Sequence, residues 1–452
     1  MAAEWRTLLC ASSLLVVIRS EHVAPASVSG IDTSFSSPDM DVKAELLATS
    51  FEAFVQKHRR TYKQGTDEYE RRYALFQERA QRAARHNSNF DRLWTWDPGN
   101  QFADRTEAEL AALRAWRGPK VGRSPASFLE QGVRSRNHAE DERADRGHEC
   151  ALPPEKSWAN LTSTRRIRDQ GNCGSCSALA TAVVLASHHE IHHGWLRTFA
   201  PQEFVSCAQN PEACGGEGGC QGGFMELLMA YALRHGLREE HEYPYTSHAG
   251  RTGFCKTRTV DNVLVGTQPG IYGAASSAPS TSFGMVGYER LPVNRYEPVM
   301  RALVERGPLT VALAAKNWHW YAGGIFDGCE KDPVIDHAVV LLGFGKNARS
   351  GHRFWHLHNS WGPGWGEGGR LRLLRLQGEE ERCGQDREPQ LGAACAKNKD
   401  GSRKSLPLEP VEVCGSCGIL FNAVVPHFAG ESPESLRLAA IRRDCEPHMT
   451  TA

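Results

Sequence analysis

The 452-residue chain has no excess of either charge: Lys plus Arg and Asp plus Glu stand at 53 each. That balance gives no long-range pull toward nucleic acid or an anionic bilayer, so neither is expected as a partner. Long apolar runs are also missing. The run from Leu8 to Ile18 is too short to span a membrane comfortably, and no later segment reads as a span. No internal repeat is present, which sets repeat architectures aside. Cysteine is absent from Lys43 to Leu113, so no cross-link lies within that stretch.

Elsewhere cysteine is abundant. Fourteen are present, most of them between Cys150 and Cys417, which indicates an oxidising compartment and several disulfides. The N-terminus agrees: Arg6 precedes the apolar run, and the small residues Ala24 and Ala26 follow. Residues 1–26 are expected to be a cleaved signal peptide, with an anchor helix as the alternative. Residues 43–113 read as helical, with Phe51, Phe54, Val55 and His58, and then Tyr69, Tyr73 and Phe76, at helical spacing. Residues 114–149 read as an exposed linker with basic sites for processing.

From Cys150 glycine and cysteine become dense and apolar runs shorten. Ser177 to His193 predicts a helix; Leu309 to Leu313 and His337 to Leu342 predict buried strands. Two segments, 267–283 and 377–413, read as insertions in a domain spanning 150–426. The tail, 427–452, reads as solvated, with a short helix over Pro433 to Arg443 as the alternative.

The sharpest local signal is Gln170 to Ala178, QGNCGSCSA. A cysteine where a helix begins, with a histidine beside it, has its thiolate favoured by both, and Cys176 stands at such a start. Gln170 lies six residues earlier. Its amide and the Cys176 backbone N–H are suited to hold an oxyanion, each such donor contributing about 2.7–4 kcal/mol to transition-state stabilisation.

QGNCGSC resembles the active-site segment of the papain family of cysteine proteases. VIDHAVVLLGFG, with His337, resembles the family's catalytic histidine strand. HNSWGPGWGEGG, with Asn359, resembles the segment whose asparagine orients that histidine, and GGCQGGF resembles the glycine pair of the substrate cleft. The resemblance implies an α+β, papain-like two-lobe fold: a helical lobe plus a β-barrel-like lobe, preceded by a helical inhibitory prodomain. It implies a cysteine-type endopeptidase that forms a thioester on Cys176 and needs no metal or organic cofactor. His337 would be base and then acid, Asn359 its orienting group and Gln170 an oxyanion donor. Trp361 would shield the Asn359–His337 contact. Gly222 and Gly223 would pair with substrate backbone. Phe224, Met225, Ala312 and Ala338, with Asn422 at the floor, would line the pocket for the side chain two residues before the cut. Ser177 stands where the family usually has an aromatic residue, which predicts altered packing under the cleft.

The early segment resembles the inhibitory propeptide of cathepsin L-like enzymes at Glu68, Arg72, Phe76 and Asn87, and again at Asn100, Phe102 and Asp104. Arg79 and Ala83 depart from that pattern. The chain's own propeptide is therefore the expected intramolecular inhibitor of a monomer acting on proteins or peptides. The expected location is the secretory pathway, ending in a lysosome- or vacuole-like compartment or outside the cell. The resemblance also implies the disulfides Cys173–Cys220, Cys207–Cys255 and Cys329–Cys417. It assigns no partner to Cys150, Cys214, Cys383, Cys395, Cys414 or Cys445.

Three alternatives stay open: a papain-like exopeptidase, a catalytically silent binding or inhibitory relative, and a zinc protease. The last would use His189 to His193, HEIHH, which satisfies H-E-x-x-H on a helix. Its place at the far end of the helix begun by Cys176 favours a solvated helix end instead. Cys414-Gly-Ser-Cys417 reads as part of a disulfide segment before a metal or redox pair.

Overall fold

The structure, a computed structural model, describes residues 50–114, 152–256, 259–260, 263–264 and 283–445. The expected signal peptide, nearly all of the linker and the 267–282 part of the first insertion lie outside the described residues.

Residues 50–114 do not form one continuous helical run. Helix α1 (50–57) ends in a turn that includes Arg59 at φ +50°. Thr66 then caps α2 (Asp67–Asn87) by accepting from the Tyr69 N–H. Strand β1 (Trp94–Trp96) follows, and a capping box between Thr106 and Glu109 starts α3 (Glu107–Leu113). Periodicity alone misses these breaks because caps and turns, not apolar spacing, set helix ends. The small core holds Phe51, Phe54, Tyr69, Phe76 and Ala103. Around it, Arg72 donates to Glu109 at 2.8 Å and Arg60 to Asp104 at 2.7 Å.

The larger part begins with β2 (Lys156–Ser157), α4 (Cys176–His193), α5 (Pro201–Cys207) and α6 (Met225–His235). A short hairpin, β3 (Thr259–Val260) with β4 (Val263–Leu264), precedes β5 (Met285–Arg290), α7 (Tyr296–Glu305) and β6 (Leu309–Leu313). Next come β7 (Tyr321–Phe326), β8 (His337–Lys346), β9 (Arg353–His358) and β10 (Arg370–Leu374). The chain closes with β11 (Cys383–Asp386), β12 (Val411–Cys414), β13 (Asn422–Phe428) and α8 (Pro433–Cys445).

One sheet runs β1-β7-β10-β9-β8-β6-β13-β5, with β2 added to β8. β8 is apolar at nearly every position because both its faces are covered. Val339 and Leu341 enter one core with Trp355 and Leu371, while Ala338, Val340 and Leu342 enter the other with α4. Helix α4 is buried almost all round, as expected of a helix apolar on every side. The strand β1 lengthens the sheet at its β7 edge, so the first 65 described residues are joined to the rest by backbone pairing.

Two expectations are corrected. The described part of the tail, His427 to Cys445, is not solvated: it carries the helix held as the alternative, α8, which buries Leu438 against Trp158 and Ile191. The end of α4 is not solvated either, because Trp195 and α8 cover it. His189 Nδ1 meets the Trp195 carbonyl at 3.1 Å and His192 Nδ1 meets Ser435 Oγ at 2.9 Å. Burial holds both rings down at about 4. The Glu190 carboxylate accepts from the Thr162 and Ser163 N–H groups, at 2.8 Å each, so it caps a turn.

The segment 377–413 is built around the β11–β12 pair, in which Cys383 and Cys414 face each other and are bonded. Further bridges are Cys173–Cys220, Cys207–Cys255, Cys329–Cys417 and Cys214–Cys395. Cys414 and Cys417 thus belong to two different disulfides.

Removing the α8 contact should be costly. Leu438→Ala is expected to lower unfolding stability by about 2–5 kcal/mol, read from the denaturant midpoint. The exposed Leu436, changed to Ala, should shift it by less than about 0.5 kcal/mol.

Candidate active site

Cys176 is the first residue of α4, and among cysteines with described side chains it alone is free. Its neighbour across the cleft is the start of β8. There β6 pairs with β8 so that Ala312 faces Ala338 and Leu313 faces His337. Cys176, Ser177 and His337 line one cavity of about 340 Å³, with Gly223, Phe224, Met225, Ala312, Ala338 and Asn422. Gly222 and Trp361 are not among its lining residues. Gly222 has φ +85°, and its carbonyl accepts from the Gly218 N–H at 2.8 Å. Ser177, in place of an aromatic ring, leaves its position open to the cavity.

His337 is oriented from behind. Its Nε2 lies 2.8 Å from Asn359 Oδ1, which also accepts from the Ser360 N–H at 2.8 Å. An amide oxygen only accepts, so the proton of the neutral ring sits on Nε2 and Nδ1 carries the lone pair. That Nδ1 is buried without a hydrogen-bond partner. Trp361 lies against the ring at 4.9 Å between centroids and is itself stacked on His319 at 4.7 Å.

Gln170 is fully buried and ties the two lobes together. Its Oε1 accepts from Ser360 Oγ at 2.7 Å, and its backbone N–H donates to the Ser360 carbonyl at 2.9 Å. Its Nε2 donates to the Cys173 carbonyl at 2.8 Å and to the Leu113 carbonyl at 2.6 Å. Leu113 ends α3, where carbonyls have no partner within the helix. The Gln170 amide expected to hold an oxyanion thus holds a helix-end carbonyl from the N-terminal segment.

The next residue, Arg114, is also buried. Its Nε lies 3.0 Å from Asp336 Oδ2, and its Nη1 donates to the Lys316 carbonyl at 3.1 Å. More of the same segment covers the site. Gln101 Nε2 donates to the Trp361 carbonyl at 2.7 Å, Asn100 Nδ2 to the His319 carbonyl at 2.6 Å, and Phe102 lies edge-on to Trp361. Arg79, the departure from the propeptide pattern, donates to the Phe102 and Ala103 carbonyls and sits 4.5 Å over the Trp320 ring. Glu68 pairs with Arg72, and Asn87 holds both sides of Trp96.

Burial sets the charge state of the pair. Burial pushes the Cys176 thiol up to about 11 despite backbone N–H groups that favour the thiolate. Burial pulls His337 down to about 4 against the Asn359 contact, and the Arg114 charge adds to the fall. Thiol and imidazole are therefore both neutral at ordinary pH. The helix start and the neighbouring histidine favour a thiolate, but under the cover desolvation outweighs them.

Sequence reasoning missed Leu113, Arg114, Asp336, His319, Ser360 and Tyr245. Tyr245 joins Ser175 Oγ at 2.6 Å to the Gln170 carbonyl at 2.9 Å. Ser360 and Asp336 flank singled-out residues, but nothing local in the sequence marks Tyr245 or Leu113.

Comparison with known proteins identifies the family and the fold. Residues 152–393, more than half of the chain, match the family model described as papain family cysteine protease. Residues 51–110 match the cathepsin propeptide inhibitor domain. "Cysteine protease 1" of Oryza sativa subsp. japonica is 30% identical over 353 residues, 74% of this chain, and the chain spans 62% of that protein's length. "Cysteine proteinase 1" of Zea mays is 27% identical over 77% of this chain and 86% of its own length. The fold is shared with a recombinant stem bromelain precursor, at TM-score 0.58 and 24% identity, covering 86% of this chain and 100% of that one. It is shared too with a digestive procathepsin L 3 of Tenebrio molitor, at TM-score 0.57 and 23% identity, covering 85% and 99%. The chain belongs to the papain family of cysteine proteases and carries that family's inhibitory propeptide domain.

Proposed function

We propose that this chain is the inactive precursor of a cysteine peptidase whose nucleophile is Cys176. The observation that carries this reading is the shared cavity of Cys176 and His337, with the His337 lone pair left free by Asn359. Once uncovered, the thiol gives its proton to His337 Nδ1 and the sulfur attacks the scissile carbonyl. The oxyanion is taken by the Cys176 N–H and by the Gln170 amide vacated by Leu113. The imidazolium then protonates the leaving amine, and water resolves the thioester with His337 again as base. Proteins or peptides are the substrates, and Gly223, Phe224, Met225, Ala312, Ala338 and Asn422 supply a mostly apolar pocket for the residue two before the cut. Gly222 shapes the turn behind Gly223, and Trp361 keeps water from the Asn359 contact.

The N-terminal segment, with Leu113 and Arg114 in the site, acts as the intramolecular inhibitor. The enzyme works as a monomer in the secretory pathway, in an acidic lysosome- or vacuole-like compartment or outside the cell. The bonded cysteines fit such an oxidising route, and no helix among the described residues is long and apolar enough to cross a membrane.

Acid favours uncovering. His337 titrates at about 4 while covered and near 6.5 in water. The proton it gains on opening comes from the Cys176 thiol, which sits at about 11 while covered and ionises once uncovered, so the pair takes up no net proton on opening. His319, buried beside the same cover and held well below its ordinary range, does take up a proton on opening. Asp336, pushed up to about 6 by burial against the pull of Arg114, acts oppositely because its proton binds better when covered. Above about pH 6 Asp336 is ionised in both states, so there the proton taken up by His319 sets the direction and acid favours opening.

Processing of the purified precursor should therefore run faster near pH 5 than near pH 7.5, measured by loss of the precursor band and cleavage of a short peptide with an apolar residue two before the cut. Cys176→Ala, or an alkylating agent, should lower that cleavage by more than about a thousandfold, while a chelator leaves it unchanged. Folded, processed protein with an unreactive Cys176 would instead indicate a silent binding relative. Arg114→Ala leaves the buried Asp336 carboxylate unpaired, a loss of about 3–5 kcal/mol. It should speed processing at pH 6.5 and leave kcat/KM of the processed enzyme unchanged, since Arg114 has by then departed.

A further inference from the structure

The segment 377–413 does not sit on the surface beside the cleft; it crosses it. It leaves the sheet after β10 and is anchored to the strand-side wall by β11. There Asp386 Oδ2 accepts from the Ile335 N–H at 3.0 Å, two residues before His337. A Cβ on Gly384 would lie 2.1 Å from the Lys331 carbonyl, and one on Gly392 would lie 2.2 Å from the Ile335 carbonyl, so both backbones press on that wall. Two residues past Gly392 the chain is already on the opposite wall. The Ala394 carbonyl accepts from the Gly215 N–H at 3.2 Å, and the Ala396 and Lys397 N–H groups donate to Ala213 and Glu212.

This crossing is covalently locked. Cys395 is bonded to Cys214, and Glu217 holds Lys397 at 2.6 Å and Arg403 at 2.8 Å. Gly215 and Cys214 belong to the loop that leads into Gly223 and Phe224, the helical-side wall of the pocket. Leu391 and Gly392 line that same cavity beside Ala312, Ala338 and Asn422. A strap thus joins the two walls where a bound peptide would leave the pocket toward its own N-terminus. The two-residue crossing spans at most about 7 Å, which leaves no width for a second chain to pass between the walls.

We propose that this strap closes the non-primed arm of the cleft immediately beyond the pocket for the second residue. The preferred substrate is then a peptide whose free N-terminus lies two residues before the cut, so that dipeptides are released from chain ends. Leu391 becomes a specificity-determining residue, because its side chain limits the depth available to the N-terminal residue. The proposal rests on the peptidase reading above and narrows it on one side only; the primed arm is untouched by the strap.

The test compares two substrates on the acid-processed enzyme: a dipeptide amide of Leu-Arg bearing a fluorogenic leaving group and a free N-terminus, and the same sequence preceded by acetyl-Ala-Ala. The free dipeptide should have kcat/KM at least about tenfold higher. Releasing the strap with Cys214→Ser plus Cys395→Ser should bring the ratio toward one by raising turnover of the extended substrate. Leu391→Ala, which keeps the strap locked, should leave the ratio high and raise kcat/KM for free dipeptides with an N-terminal Phe relative to Leu, and covers the case in which the double variant does not fold. Equal or faster cleavage of the extended substrate by the unaltered enzyme would overturn the strap proposal and leave the cysteine peptidase intact. No cleavage of either, with Cys176 inert to alkylation, would overturn the peptidase reading and the strap proposal with it.

Discussion

Removal of water from the cleft is the condition on which the rest of this structure depends. A thiol and an imidazole side by side exchange a proton readily only where the resulting charges are solvated or stabilised. Under the N-terminal segment they are neither, so burial keeps Cys176 and His337 neutral. The cover reaches this end with few atoms in the site itself: one carbonyl at the end of α3 and one guanidinium after it. Everything else in the segment positions those two groups. β1 adds to the sheet edge, Arg79 stacks on Trp320, and the Arg72–Glu109 contact ties α2 to the start of α3.

The same groups serve both the silent and the working arrangement. Gln170 donates its amide to the Leu113 carbonyl in the precursor and to the oxyanion in the proposed reaction. Asp336 holds Arg114 with one oxygen and accepts from the Ala315 N–H at 2.8 Å with the other. The helix start that favours the Cys176 thiolate is already in place beneath the cover. In the proposed activation the site is rehydrated without being rebuilt.

The residues that meet in the candidate site were legible because they sit in short, contiguous strings. QGNCGSC places the cysteine and the amide donor six residues apart, and Asn359, Ser360 and Trp361 are consecutive. β8 was legible because both its faces are buried, which makes its sequence a continuous apolar run. What stayed hidden depends on contacts between distant residues. Nothing near Cys214 announces Cys395, 181 residues away, and nothing in 377–413 says that it crosses the cleft. The fate of α8 was misread because its apolar face is only a few residues wide, with Leu438 and Ile441 among charges. The HEIHH string, expected to be a solvated helix end, is covered instead, its side chains spent on Trp195, Ser435 and the turn at Thr162.

The claim that burial alone silences the site is tested most directly by the rate at which iodoacetamide labels Cys176, followed by mass spectrometry against pH for the intact precursor and the processed enzyme. The account predicts that the precursor labels slowly through neutral pH and rises only toward about pH 11, while the processed enzyme labels rapidly from mildly acidic pH upward. Equal labelling of the two forms at pH 7 would contradict it.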